Sequence, residues 1–352
     1  MTAPIRIAFD MTFPNRNPAG SGVYAVELLE ALRGRDDVAV TAVTAGAGGG
    51  FVATMRWLID GARRAADAEQ LVHCPAFVAP WRLREPLVLT VHDTSTLKFP
   101  EDHTLEWREY ARWILPRRAR SAIRVITGTE YSRRDIVRDL NVPAERVEVT
   151  PYGVAERFKG RPERSPAVGD PALLLFPGSP TRRKNLELVL NAMAHSPRET
   201  ALGRARLVIS GAEAHGFPAH QGRIRALGLE PRVDWLGKVT AQSMPELIER
   251  ADLVVYPSHY EGFGFPGLEA MAVGTPVIAS NTSCLPEVLG TAALLVDPND
   301  VKQFTDAAES ALTNMELRRA LVARGKARAA GYTWRRCADL TVDVYRQALA
   351  LS

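Results

Sequence analysis

The chain has 352 residues, of which 46% are apolar and 24% charged, and its formal net charge is +4 at pH 7. This length predicts two domains, and the composition is that of a soluble globular protein. The sequence has no apolar run of about 18 residues, and its three cysteines are widely separated. These features exclude a membrane-spanning helix, argue against a disulfide framework or a zinc site, and favour a reducing compartment.

The first half of the chain alternates short apolar runs with helical stretches, a pattern that indicates a parallel sheet covered by helices on both faces. The chain begins directly with such a run and shows no signal-peptide pattern, so we expect a cytoplasmic protein. Strands of this half are predicted near Ile5–Phe9, Val38–Val43, Leu71–His73, Leu87–Val91, Arg124–Thr127 and Val147–Thr150.

Two features of the first half suggest contacts with a ligand or substrate. The element G-S-G-V-Y-A at 20–25 has the letters of a dinucleotide fingerprint, but about nine residues separate it from the first strand, whereas fingerprint glycines lie in the strand-to-helix turn itself. We therefore interpret Gly22 as part of a glycine-rich lip on a cleft between domains.

His92 follows the fourth predicted strand. A lone histidine is usually structural, but the carboxyl end of a strand favours contact with a substrate.

A basic stretch extends from Arg108 to Arg138, and aromatic residues interleave with its first part at helical spacing. One interpretation is a helix with an apolar side facing the core and a basic side facing water. The alternative is attraction to an anionic membrane surface or to a lipid-phosphate acceptor. Nucleic acid is disfavoured as a partner, because the net charge is modest and no zinc-finger or RNA-binding motif is present.

The second half repeats the alternation after a lapse rich in prolines and charges, which is typical of a linker. We predict one domain over 1–155, a linker over 156–171, a second domain over 172–332, and a helix over 333–352 that returns to the first domain. Strands of this half are predicted near Ala172–Phe176, Arg206–Ser210, Val233–Leu236, Leu253–Tyr256, Val277–Ala279 and Ala293–Val296.

A basic loop, G-S-P-T-R-R-K-N, follows the seventh predicted strand. Gly178 in this loop permits close approach of the backbone to a ligand. Arg183 and Lys184 suit a diphosphate, whose negative charge grows when a glycosidic bond to it breaks. A solvated basic turn is the structural alternative. The spacing is not that of a Walker A loop.

An acidic, glycine-rich element reads Y-P-S-H-Y-E-G-F-G-F-P-G-L-E at 256–269. Glu261 and Glu269 bracket a loop with three glycines, among them Gly264, and Pro266 suits the first position of a helix. The helix N-terminus would attract an anion, and the carboxylates would accept hydrogen bonds from sugar or ribose hydroxyls. The alternative is an exposed loop followed by an acidic residue in a first helical turn, which is common.

Some motifs are absent from the chain. Enzymes that hold a nucleotide sugar through a divalent metal commonly have a D-x-D triplet, and this sequence has none. Arg183 and Lys184 would replace the metal, so we predict no metal site and no cofactor. The hydrolase motifs G-x-S-x-G and H-E-x-x-H are also missing.

Together these motifs resemble those of the retaining glycosyltransferases of family 4, and the resemblance extends over nearly the whole chain. Its most specific part is the E-x7-E element that begins at Glu261, with G-F-G-F-P inside it. One departure is Ser179, where many relatives carry an arginine that Arg183 would replace. Further matches are R-K-N at 183–185, H-D at 92–93, G-x-G-x-Y at 20–24, G-T-P-V-I-A-S at 274–280 and L-P-E at 285–287.

The resemblance implies an α/β protein with the GT-B architecture, in which two Rossmann-like, doubly wound parallel-sheet domains face a cleft. The first domain would bind the acceptor and the second the nucleotide sugar. The catalytic residues would be His92 near the anomeric carbon, Glu261 at the transferred sugar and Lys184 at the diphosphate. The other donor-binding residues would be Gly22, Gly178, Arg183, Gly264, Phe265 and, at the ribose, Glu269.

We therefore predict metal-independent transfer of a hexosyl group, with retention of anomeric configuration, to a hydroxyl of a glycan, a lipid-linked sugar or a small molecule. By analogy the motifs favour GDP-mannose over a UDP sugar as donor. Acceptor contacts are expected in loops of the first half, including Ala45–Phe51, and peripheral association with the inner face of the membrane is open. The alternatives are a sugar-nucleotide epimerase of the same architecture and a non-catalytic module that binds sugar nucleotides.

Overall fold

The computed structural model shows two compact units. Unit 1 contains Met1–Gly153 and Thr333–Ser352, and unit 2 contains Val154–Tyr332. The structure describes residues 3–16, 20–44, 71–81, 83, 86–161, 171–213 and 217–351. The loop 45–51, where acceptor contacts are predicted, lies outside these residues.

Unit 1 is built on a six-stranded, wholly parallel sheet with the strand order β2-β1-β3-β4-β5-β6. Strands β3 and β4 are buried along their whole length, because the sheet is covered on both faces. The strands are β1 (Ile5–Asp10), β2 (Val38–Val43), β3 (Leu71–Cys74), β4 (Leu87–Thr90), β5 (Arg124–Thr127) and β6 (Val147–Val149).

One helix of unit 1, over Glu130–Leu140, begins and ends at recognisable capping residues. In α5 the Thr129 side chain accepts a hydrogen bond from the Ser132 N–H, and Asn141 ends the helix in the left-handed conformation. The helices are α1 (Gly20–Arg33), α2 (Ser95–Lys98), α3 (Leu105–Glu109), α4 (Leu115–Ser121) and α5 (Glu130–Leu140), with a π-helical turn over Tyr110–Ile114 between α3 and α4.

The helix near the carboxyl end of the chain, Trp334–Leu349, belongs to unit 1 and packs against α1. Its Asp339 pairs with Arg35, and its Arg346 lies 2.6 Å from Asp37. At its start, the Trp334 ring stacks on Tyr152 with 6.4 Å between ring centroids.

Unit 2 contains a second six-stranded parallel sheet, with the order β12-β11-β10-β7-β8-β9. The order reverses between β7 and β10, which are hydrogen-bonded neighbours although β8 and β9 separate them in the chain. Such a reversal opens a crevice at the carboxyl ends of the two strands. The strands are β7 (Leu173–Pro177), β8 (Arg206–Ser210), β9 (Val233–Trp235), β10 (Leu253–Tyr256), β11 (Val277–Ser280) and β12 (Leu294–Val296).

The helices of unit 2 cover both faces of this sheet, and the core includes Phe176, Val189, Leu207 and Phe304. The helices are α6 (Leu186–His195), α7 (Ala201–Arg204), α8 (Phe217–Ala226), α9 (Met244–Arg250), α10 (Phe265–Val273), α11 (Leu285–Leu289), α12 (Val301–Thr313) and α13 (Met315–Ala330). The helix of unit 1 at Trp334–Leu349 is therefore α14.

The twelve strands predicted from sequence are confirmed, each to within one residue at either end. The helix predicted within 333–352 is also confirmed, and it extends from Trp334 to Leu349. Three details differ. Gly22 does not lie in a loop: it is the third residue of α1, and it is buried. Pro266 is the second residue of α10, because Phe265 takes the first position. Residues Glu156–Phe158 of the predicted linker form a 3₁₀ helix that belongs to unit 2, with Phe158 buried.

The basic stretch agrees in part with the interpretation of a helix that faces the core. Tyr110 is buried and Trp107 packs against the core of unit 1, as expected for a core-facing helix. Trp113 and Leu105, in contrast, are 49% and 67% exposed. Within the described ranges, no helix has both the length and the apolar character needed to cross a bilayer.

Replacing Gly153 by alanine should destabilise unit 1. A Cβ at this position would lie 2.3 Å from the Trp334 amide nitrogen and 2.7 Å from the Thr333 carbonyl carbon, so backbone atoms would have to shift. We expect a loss of about 1–3 kcal/mol, seen as a lower thermal midpoint. As a control, Gly222→Ala places its Cβ in open space and should not destabilise the protein. Equal midpoints for the wild type and Gly153→Ala would contradict this account.

Candidate functional site

The loops that follow β7 and β10 meet at the point where the strand order of unit 2 reverses. Three hydrogen bonds join them. The His259 N–H donates to the Arg183 carbonyl at 2.8 Å, the Arg183 guanidinium donates to the Tyr260 carbonyl at 2.8 Å, and the Asn185 side chain donates to the Pro257 carbonyl at 3.2 Å. The position agrees with the general rule that ligands of open α/β sheets bind at such a reversal.

The basic loop after β7 is shaped by one glycine and one asparagine with positive φ. Gly178 has φ 92°, and its N–H donates to the Ser210 carbonyl at 2.8 Å. Asn185 has φ 57°, and its side chain also donates to the Pro298 carbonyl at 2.7 Å. Between them, Arg182–Lys184 form a 3₁₀ turn. Gly178 faces Lys184, since a Cβ there would lie 3.9 Å from the Lys184 Nζ.

The acidic loop after β10 is also fixed by a glycine with positive φ and by a hydrogen bond to its backbone. Gly264 caps the N-terminus of α10 with φ 91°, and a Cβ there would lie 2.8 Å from the Leu285 side chain. Only glycine combines this backbone conformation with this contact. The Glu261 N–H donates to the Ser283 hydroxyl at 3.2 Å. The loop therefore has little room to move Glu261.

The two loops bring a carboxylate and two cations together. Glu261 Oε1 lies 2.7 Å from Lys184 Nζ and 3.0 Å from Arg183 Nη1. The Lys184 ammonium also donates to the Tyr256 hydroxyl at 3.1 Å and lies 4.6 Å from the centroid of that ring. Glu261 is only 7% exposed, so this ion cluster is largely shielded from water.

The positive charges of the cluster stabilise the ionised form of its carboxylate. Burial by itself raises the pKa of the Glu261 carboxyl, but the charges of Arg183 and Lys184 outweigh this and lower that pKa to about 2. Burial, followed by the negative charge of Glu261, raises the pKa of the Tyr256 hydroxyl. At neutral pH the cluster is thus an ionised carboxylate, two cations and a neutral phenol.

The remaining predicted residues of unit 2 lie on α10. Phe265, its first residue, packs its ring 5.0 Å from that of Phe263. Glu269 is half-buried, one turn further along the helix. Among the described residues, no group of three or more His, Cys, Asp or Glu side chains is arranged to hold a metal ion.

In unit 1, both ring nitrogens of His92 are hydrogen-bonded. Nε2 lies 3.1 Å from the Pro75 carbonyl oxygen, which can only accept, so Nε2 carries the proton. Nδ1 lies 2.8 Å from the Tyr152 hydroxyl, which therefore donates to it. Burial lowers the pKa of His92, although the neighbouring Asp93 charge opposes this shift. His92 is thus a neutral imidazole with an assigned tautomer.

A second histidine, His73, lies in the same part of unit 1. Its Nδ1 is 2.7 Å from the Tyr345 hydroxyl of α14, and its Nε2 is 2.8 Å from the Thr90 hydroxyl. Burial, with a smaller effect from His92, lowers the pKa of His73 to about 3. Tyr24 continues this network: its hydroxyl is 3.2 Å from Thr90 Oγ1.

The motifs did not single out three tyrosines, two of which hold functional candidates in place. Tyr256 positions Lys184, Tyr152 orients His92, and Tyr345 bonds to His73. Tyr256 belongs to the acidic motif, so the motif itself carried a signal for it. Tyr152 and Tyr345 lie far along the chain from their partners, and only the tertiary fold brings them together.

Comparison with known proteins identifies the family and supports the architecture. A family model described as glycosyl transferases group 1 matches residues 160–328, and a model described as Glycosyltransferase Family 4 matches residues 18–158. The O-antigen chain mannosyltransferase B of Escherichia coli is 34% identical over 288 residues, which are 79% of this chain and 74% of that protein.

Solved structures share the two-unit GT-B fold. Sucrose-phosphate synthase from Thermosynechococcus elongatus has a TM-score of 0.78 at 21% sequence identity, covering 99% of this chain and 100% of that chain. HepE from Anabaena, solved in complex with UDP and glucose, has a TM-score of 0.74 at 18% identity, covering 97% and 100%. These likenesses concern the fold alone.

The two neutral histidines predict a loss of stability in mild acid. Both have a lower pKa in the folded state, so below about pH 6.5 the unfolded chain binds more protons than the folded chain. Each should therefore lower the free energy of unfolding by about 1.4 kcal/mol per pH unit between its unfolded and folded pKa values.

Urea unfolding of the wild type and of His73→Gln at several pH values would measure this effect. Glutamine does not titrate but can still hydrogen-bond to Thr90 or Tyr345. We expect the variant to be less stable at neutral pH and to lose stability less steeply on acidification. A wild-type slope retained in full by the variant would show that His73 is not held neutral.

Proposed function

Because the chain belongs to the glycosyltransferases of family 4, we propose that it moves a hexosyl group from a nucleotide diphosphate sugar to a hydroxyl acceptor. We propose further that the anomeric configuration is retained and that no metal ion takes part. The observation that carries this proposal is the cluster of Lys184, Arg183 and Glu261 at the strand-order reversal of unit 2.

Lys184 and Arg183 are the proposed ligands of the donor diphosphate. When the glycosidic bond breaks, negative charge develops on the departing diphosphate, and fixed cations in a shielded site stabilise it most effectively. The N-terminus of α10 adds the positive end of a helix dipole. Gly264 and Phe265 lie at this terminus, and Gly178 lets the basic loop approach closely.

The two glutamates are proposed to recognise hydroxyl groups. Glu261 remains ionised and is therefore a strong acceptor for hydroxyls of the transferred sugar. Glu269, half-buried on α10, is proposed to accept hydrogen bonds from the ribose. These roles need fixed carboxylates rather than mobile ones, and the Ser283 contact and the helix supply that rigidity.

His92 is proposed to act without carrying a proton. Its ring is neutral and both nitrogens are engaged by Tyr152 and Pro75, so it is poorly suited to act as a general acid or base. It would instead present an uncharged surface near the transferred sugar. Gly22, buried in the first turn of α1, would contribute backbone rather than side-chain contacts.

The proposed donor is GDP-mannose, and the proposed acceptor is a sugar hydroxyl of a growing glycan. The mannosyltransferase relative from Escherichia coli, named for O-antigen chains, favours a mannosyl donor and a glycan acceptor; the choice of GDP rests on the resemblance of the motifs. A UDP sugar is the alternative donor.

The donor proposal can be tested by thermal unfolding in the presence of GDP, UDP, ADP and TDP. A nucleotide at about 100 times its dissociation constant should add about 2.7 kcal/mol of stability. Lys184→Ala should weaken binding of the preferred nucleotide by about 1.5–3 kcal/mol, the value of a charge-assisted hydrogen bond. The control Lys302→Ala removes an exposed lysine of unit 2 that pairs with Asp306, and it should leave binding unchanged.

The outcomes separate the candidate activities. Release of nucleoside diphosphate that depends on an added acceptor supports transfer, whereas isomerisation of the sugar without an acceptor would indicate an epimerase. Binding without turnover across a broad acceptor panel would indicate a binding module. Activity that is lost with a chelator and restored by magnesium or manganese would contradict metal-independent transfer.

We further infer that unit 1 associates peripherally with an anionic membrane surface. Trp113 and Trp81 are 49% and 48% exposed. Arg112 stacks 5.0 Å from the Trp113 ring, and Arg118 donates to the Trp81 carbonyl at 3.2 Å. Exposed indole rings beside arginines suit the interface of an anionic bilayer.

Co-sedimentation with vesicles tests this inference. The wild type should bind vesicles rich in phosphatidylglycerol more than vesicles of phosphatidylcholine, and salt should weaken the binding. The double variant Trp81→Ala, Trp113→Ala should lose most of it, whereas Leu236→Ala, an exposed apolar residue of unit 2, should not. Equal binding by the double variant and the wild type would exclude this surface.

A further inference from the structure

Glu261 faces the same two cations that are proposed to bind the donor diphosphate. Its Oε1 is within 2.7 Å of Lys184 and 3.0 Å of Arg183. The carboxylate has little freedom to withdraw, since it is 7% exposed and its own backbone N–H is bonded to Ser283. Lys184 is also held by Tyr256, through a hydrogen bond to its hydroxyl and contact with its ring.

This arrangement places any bound diphosphate next to a fixed negative charge. A diphosphate that contacts Lys184 and Arg183 must share them with the Glu261 carboxylate. Like charges at such short range repel each other, and partial burial strengthens the repulsion relative to water. The cations reduce this repulsion without removing it, because two positive charges face one carboxylate and at least two phosphate charges.

A sugar attached to the diphosphate offsets part of the repulsion between Glu261 and the phosphates. Its hydroxyl groups can donate hydrogen bonds to the carboxylate, and bonds to a charged acceptor are among the strong ones. With a sugar nucleotide, Glu261 therefore exchanges part of its contact with the cations for contacts with hydroxyls. A nucleoside diphosphate alone offers no hydroxyl of a transferred sugar to the Glu261 carboxylate, which then meets only its negative charge.

We propose that Glu261 makes the site discriminate against the nucleoside diphosphate product and so promotes its release after transfer. This proposal rests on the proposed function of the same site, and it gives Glu261 a second role beside contact with the sugar. Transfer removes the hydroxyl donors from the carboxylate in one step, and the remaining diphosphate then meets uncompensated negative charge.

Equilibrium binding of a nucleoside diphosphate and of the corresponding sugar nucleotide, to the wild type and to Glu261→Gln, tests the proposal. Glutamine keeps the shape and can accept hydroxyl hydrogen bonds but carries no charge. We expect the variant to bind the nucleoside diphosphate about tenfold more tightly, to bind the sugar nucleotide no more tightly than before, and to show stronger product inhibition if turnover remains.

The matched control is Glu249→Gln. This carboxylate also pairs with an arginine of unit 2, Arg161 at 2.5 Å, but it is not proposed to face the donor. It should leave both affinities unchanged. If Glu261→Gln does not fold, Glu261→Asp takes its place: it withdraws the charge by one methylene group and should shift nucleoside diphosphate binding in the same direction by a smaller factor.

The possible failures are distinguishable. If the wild type binds no nucleoside diphosphate, the proposed function fails and this inference fails with it. If the wild type binds one, but folded Glu261→Gln binds it equally or more weakly, the proposed function stands and the discrimination is refuted. In that case Glu261 would be only a structural partner of the two cations.

Discussion

Two cations can lie side by side in a shielded crevice only if a counter-charge is within reach, and in unit 2 this charge is Glu261. Lys184 and Arg183 converge on its carboxylate at hydrogen-bonding distance. This carboxylate offsets their mutual repulsion and part of their lost hydration. The same requirement explains why the loops carrying these residues are tied together, since a carboxylate that drifted away would leave both cations uncompensated.

The topology of the sheet makes this convergence possible. Arg183 and Tyr260 are separated by 77 positions in the chain, yet they are hydrogen-bonded because β7 and β10 are neighbours. A parallel strand delivers its following loop to one edge of the sheet, and the reversal of strand order leaves that edge open between the two strands. Gly178 and Gly264, both with positive φ, then turn their loops into this opening.

The sequence sufficed for the features that depend on local pattern. Buried parallel strands are short continuous apolar runs, and for this reason the twelve strands and α14 were predictable. The motifs located Lys184, Arg183 and Glu261, but not that they form one ion cluster, which depends on strand order. Gly22 was wrongly expected in a loop, because two glycines within three residues are typical of loops. In the structure, α1 begins at Gly20 and includes it. The engagement of both His92 nitrogens was unpredictable, since Tyr152 and Pro75 are distant in the chain.

The assignment of α14 to unit 1 has a consequence for how the polypeptide matures on the ribosome. Tyr345 bonds to His73 and Trp334 packs on Tyr152, so the amino-terminal unit obtains its closing segment only after all of unit 2 has been synthesised. Domains generally fold as they emerge, but here the first unit to emerge is the last to be completed. During translation, the surface of α1 that α14 will cover stays exposed for the time needed to make the whole of unit 2, and this interval is when the nascent chain most needs protection from aggregation.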